Sequence, residues 1–135
     1  MILNSTQKRS KGMLVAMLMI LLLSAVTSIA HAKGNSVASI TPGGNGTAEG
    51  ARVQATGSTG KLKVETGSSS YSVDGSAVRY NGIWPDPTVA RAVSYPGKGA
   101  ATDTFTATSG TDYYAKAYAQ YNMNNIYGQA LVTVN

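Results

Sequence analysis

The segment KLKVET, residues 61–66, decides the fold class. Leu62 and Val64 alternate with Lys61, Lys63 and Glu65, so one face of the segment is apolar and the other charged. Such period-two alternation marks a strand buried on one side, which needs a second layer to cover its apolar face. The pattern recurs in both directions along the chain. Residues 36–40 read as a short strand, residues 51–56 place Val53 and Ala55 on one side, and residues 88–95 return to strand character. In ATDTFTAT, residues 101–108, Thr fills every even position and Phe105 stands on the other side, which assigns the Thr row to solvent. Near the C-terminus Ala130, Val132 and Val134 form a core face. No window shows apolar spacing of helical period over a helix length.

Turn residues punctuate these segments. PGGNG, residues 42–46, cannot sit inside a sheet, so residues 41–50 are expected to loop, and GSTG, residues 57–60, is a turn. Asp74 with Gly75 reads as a two-residue hairpin turn between strands 71–73 and 77–80. Asn81 with Gly82 is a second such signal, but IWPDP follows it, and two prolines make an ordered loop. Strands 113–121 and 128–134 are expected to form a terminal hairpin. The sum is an all-β, immunoglobulin-like antiparallel β-sandwich of about seven or eight strands.

The N-terminus has a different character. Lys8, Arg9 and Lys11 precede the apolar run of residues 13–26, and Ala30, His31 and Ala32 make a small-x-small site. That layout is a secretory signal peptide, cleaved after Ala32, with a retained anchor or a prepilin-type leader as alternatives. The expected organisation is therefore a signal peptide over residues 1–32 and a single sandwich domain over residues 33–135. The domain carries eight basic and six acidic side chains, a net charge of +2, scattered without a block of like sign. Nucleic acid is not an expected partner, nor is membrane once the signal is removed. The chain has no Cys, so an extracellular or wall-associated domain must be held by packing and sheet hydrogen bonds.

The same inventory narrows the chemistry. His31 is the one His and lies within the signal segment, leaving residues 33–135 without His or Cys. Ser-His-Asp and Cys-His catalysis are excluded there, as are zinc sites built from those ligands. Asp74, Asp86 and Asp112 stand beside turn signals, where local backbone bonding accounts for them better than a catalytic carboxylate pair. No metal, cofactor or enzymatic activity is expected.

Aromatic residues remain. Eight Tyr and one Trp offer flat apolar area with a polar tip, suited to a sugar or a protein partner. Two places stand out as a candidate binding surface. Tyr80, Trp84 and Asp86 border the proline-restricted loop, and Tyr114, Lys116, Tyr118 and Gln120 share one face of a strand, with the charge assigning that face to solvent. The expected function is a secreted non-enzymatic binding or inhibitor module acting on a cell-wall glycan or an extracellular protein. Two alternatives remain. A signal peptide before a small Cys-free, Tyr/Ser/Gly-rich β-domain loosely resembles lactococcin-type bacteriocins, which implies antibacterial action. The nearly uncharged stretch 113–130 suits a matrix or fibre subunit if it lies at a sheet edge, with Lys116 as a guard against stacking.

Overall fold

A computed structural model of the chain describes residues 34–120 and 126–135, so the signal-peptide reading and Tyr121 lie outside the described residues. The strands are β1 Gly34–Ile40, β2 Thr47–Glu49, β3 Val53–Gln54, β4 Thr59–Thr66, β5 Val73–Arg79, β6 Thr88–Ser94, β7 Ala101–Thr106, β8 Asp112–Ala119 and β9 Gly128–Val134. They form two antiparallel sheets, ordered β1-β9-β4-β7 and β2-β8-β5-β6, with β3 also pairing β8. Among the described residues, β5 with β6 is the one consecutive pair that shares a ladder. Around it further pairs nest, β4 with β7, β8 with β2 and β3, and β1 with β9, while β4 with β9 and β5 with β8 join them into the two sheets. The chain is thus one long antiparallel ribbon, folded at residues 80–87 and rolled so that its halves alternate between two sheets. That connectivity is a jelly roll.

The two-sheet antiparallel sandwich agrees with the sequence expectation, but the immunoglobulin-like order does not. Two hairpin readings are corrected with it. Asp74 and Gly75 lie inside β5, where each is paired on one side with β6 and on the other with β8. Strands β8 and β9 belong to opposite sheets and form no hairpin. Residues 47–49, expected in a loop, form β2 against β8. Within the 113–130 stretch neither β8 nor β9 is a stacking edge, because β8 is paired by β2 and β5 and β9 by β1 and β4.

The core lies where the inward positions meet. Leu62 and Val64 of β4 and Val132 and Val134 of β9 face Val73 and Ala77 of β5 and Tyr113, Ala115 and Ala117 of β8, all fully or nearly fully buried. Small residues on β8 and β5 make room for larger ones opposite. Tyr113 fills the space at one end, 5.2 Å from the Phe105 ring, and its hydroxyl accepts from Thr108 N–H at 2.9 Å. Fully burying side chains of Val or Leu size contributes about 1.5–3 kcal/mol each. The Thr row reads correctly: Thr102, Thr104 and Thr106 are exposed.

Polar contacts also tie the sheets together. Between β2 and β3 the edge of β8 loses its strand partner, and the Ala115 N–H is met instead by Ser36 Oγ of the opposite sheet at 3.0 Å. Ser36 is 1% exposed, so removing its hydroxyl would strand a buried donor, a loss of about 1–3 kcal/mol. At the far edges, Asp103 of β7 accepts from the Arg91 N–H of β6 at 3.1 Å, and Arg91 also pairs with Asp74.

Candidate functional site

The loop of residues 80–87 joins β5 to β6 and is closed at its base by the backbone. Arg79 N–H donates to Pro87 O at 3.0 Å, and Tyr80 N–H donates to Asp112 O at 2.9 Å. Gly82 takes φ +74°, the left-handed conformation that a turn here requires and that side chains disfavour. The Trp84–Pro85 peptide bond is cis. Asp86 ties the loop from within: one carboxylate oxygen accepts the Asn81 N–H at 3.0 Å and the other accepts the Tyr114 hydroxyl at 3.0 Å.

Those bonds set the electrostatics. The Asn81 N–H holds the Asp86 carboxyl below the usual carboxylate range, helped by the Tyr114 hydroxyl and by the charges of Arg52 and Lys116. Burial raises the Tyr114 phenol, and its bond to Asp86 adds to the effect. Lys116 pairs with Glu49 at 2.9 Å, which raises its ammonium, and its Nζ lies 5.5 Å from the Tyr114 ring centre. Arg52 sits 3.4 Å above the Tyr80 ring.

The expected residues therefore divide. Tyr80, Asp86, Tyr114 and Lys116 come together as the foundation of the loop. Tyr114 was expected to face solvent, and this is corrected: it is 8% exposed, covered by the loop that Asp86 pins over it. Tyr118 stands further along β8, half exposed above a hollow of about 270 Å³ shared with Thr47 and Glu49. Gln120 accepts from the Ser72 hydroxyl at 2.9 Å. Tyr114 and Tyr118 make no continuous aromatic row. What the foundation supports is Trp84, 89% exposed, with Ile83 beside it at 80%. Ile83 and Arg52 were missed by sequence reasoning. An apolar residue next to Trp inside a turn-rich loop was the available signal for Ile83, whereas Arg52 is distant in sequence and offered none.

Fold and loop together define a jelly-roll β-sandwich that projects an anchored apolar tip. Among the described residues no group of three or more His, Cys, Asp or Glu is placed to hold a metal, and no helix is long and apolar enough to cross a membrane. No protein-family model and no curated protein matches the sequence. Among solved structures it is similar to the Yersinia pseudotuberculosis-derived mitogen, at 11% identity and a TM-score of 0.46, over 77% of this chain and 86% of that one. It is similar also to PliG of Aeromonas hydrophila, a periplasmic inhibitor of g-type lysozyme, at 16% identity and a TM-score of 0.44, over 78% and 87%. Murine APRIL follows at 14% identity and a TM-score of 0.40, over 75% and 100%. These are distant likenesses of β-sandwich architecture.

Proposed function

We propose that the chain is an exported, non-enzymatic binding module whose recognition element is the 80–87 loop, with Ile83 and Trp84 entering an apolar pocket on a protein partner. The observation that carries this reading is the exposure of two adjacent large apolar side chains, 80% and 89%, on a loop fixed at its base. An anchored loop loses little entropy on binding, and Trp is among the residues that dominate interface energetics. A protein pocket fits better than an extended glycan, because a glycan platform needs several open rings along one face, and Tyr114 is covered. Asp86, Tyr80, Tyr114 and Lys116 act as positioning residues in this reading, with Tyr118 and Gln120 at the margin. The basic, apolar and small-residue pattern of residues 1–32 supports export, and the absence of His and Cys from residues 33–135 supports a non-enzymatic role.

Trp84 is the one Trp in the chain, so its fluorescence reports on the tip alone. Wild type, Trp84→Ala and the control Tyr95→Ala are immobilised and exposed to extracellular and envelope proteins and, separately, to purified wall glycan. The expected result is a protein retained by wild type and Tyr95→Ala but lost with Trp84→Ala, whose purified form shifts Trp84 emission to shorter wavelength. Equal retention by all three, or an emission shift with wall glycan alone, overturns the reading.

A further inference from the structure

The outward face of the β1-β9-β4-β7 sheet ends in a cleft of about 450 Å³, within the size range of small-molecule sites. Strand register explains its floor. Ser39, Gln129 and Glu65 oppose one another across β1, β9 and β4 and form a polar row. The chain entering β7 contributes Gly99 and Ala100, so that side of the row carries nothing larger than a methyl group and a hollow remains. Tyr127 forms the wall. Gly67 N–H donates to Tyr127 O at 2.9 Å, and a Cβ at Gly67 would overlap the Tyr127 ring, so the ring rests on bare backbone. Half of Tyr127 stays open to solvent.

The floor chemistry is specific. Glu65 accepts from Lys63 Nζ at 2.7 Å through one oxygen and from Gln129 Nε2 at 3.1 Å through the other. Both bonds hold its carboxyl below the usual range, the Lys63 bond more strongly. Each carboxylate oxygen keeps a second acceptor position, and Gln129 presents its amide beside them. Lys63 balances the charge of Glu65, so the row is neutral overall.

We propose that this cleft binds a neutral sugar, with Tyr127 under the apolar face of one pyranose ring and the Glu65–Gln129 pair bonding adjacent hydroxyls. An aromatic ring beside a set of donors and acceptors matches a sugar, whose faces are apolar and whose rim is hydroxylated. An apolar ligand would leave the polar floor unpaired, at a cost. An anionic glycan would place its charge against Glu65. The cleft is a second site, separate from the Trp84 tip.

The test is an NMR titration of the purified exported chain with cellotriose, with triacetylchitotriose and with an anionic galacturonate trimer. The expected result is that a neutral trisaccharide shifts the Gly67 backbone amide and the Gln129 side-chain amide, with an affinity that does not fall as salt is raised. Tyr127→Ala weakens that binding by at least about tenfold. Gln129→Ala, an exposed change that leaves the Tyr127 ring on Gly67, weakens it too and guards against a folding defect in the first variant. Trp84→Ala leaves the shifts unchanged, which separates this site from the tip. No shift with either neutral sugar at about 10 mM, affinity unchanged in both cleft variants, or preference for the anionic trimer overturns the proposal.

Discussion

Asp86 shows how one carboxylate decides the shape of a surface. Its ionised form accepts two hydrogen bonds at once, from the Asn81 N–H and the Tyr114 hydroxyl, and the protonated form keeps less capacity to accept. Its pKa is depressed in the folded protein below the ordinary 3.8, chiefly by the Asn81 bond. A group lowered on folding contributes fully above its unfolded value and loses that contribution as pH falls through the folded value. The anchor is therefore complete at neutral pH and fails in acid, with a midpoint below 3.8. The Asn81 amide proton, followed by NMR against pH, is expected to hold its position down to about pH 4 and to move below it, and Asp86→Asn is expected to abolish that step. A midpoint at or above 3.8 means that the bond does not hold the carboxylate. On the alkaline side the Tyr114 phenol is raised above its usual 10.0, so the donor stays protonated across the physiological range.

At the scale of a strand, β5 exposes the difference between a turn signal and a packing requirement. Gly75 faces the core, where a Cβ would overlap Val64 Cγ2 and approach Ala130 Cβ at 3.0 Å, both from the opposite sheet. It permits close approach of the sheets and takes no left-handed backbone conformation. Gly75→Ala is expected to destabilise the fold by about 1–3 kcal/mol through overpacking, read as a lowered urea midpoint with an unchanged slope. An unchanged midpoint means that the sheets are looser here than the packing indicates. Asp followed by Gly looks the same in sequence whether the glycine is needed for φ or for space, and this ambiguity produced the false hairpin. Alternation, by contrast, is a property of one strand alone, so the inward and outward residues of β4, β7 and β9 were legible before any partner was known. The pairing of β8 with β2, β3 and β5 depends on residues tens of positions away, and no local pattern encodes it. The burial of Tyr114 was hidden for the same reason, since the loop that covers it arrives from β5. Tyr127 was hidden because its platform, Gly67, is marked only by the lack of a side chain.

Across the whole molecule, the rolled ribbon places its two surfaces at opposite ends. The cleft lies beside Thr66, whose N–H donates to Ser94 Oγ at 3.1 Å, and Ser94 pairs with Val73, the first residue of β5. The apolar tip follows Arg79, the last residue of β5. Seven residues of strand separate those ends by about 20 Å. The core between them is a packed sandwich, and the tip and cleft share no side chain or hydrogen bond. Perturbations more than about 10 Å apart without common partners add within about 0.5 kcal/mol. Trp84→Ala and Tyr127→Ala are therefore expected to change stability additively in a double-mutant cycle measured by urea unfolding. Each variant is expected to leave binding at the other end intact, so that one molecule holds a protein partner and a sugar at the same time. A coupling above about 1 kcal/mol, or loss of sugar binding when the tip is occupied, would mean that β5 transmits strain along its length and that the two ends form one site in energetic terms.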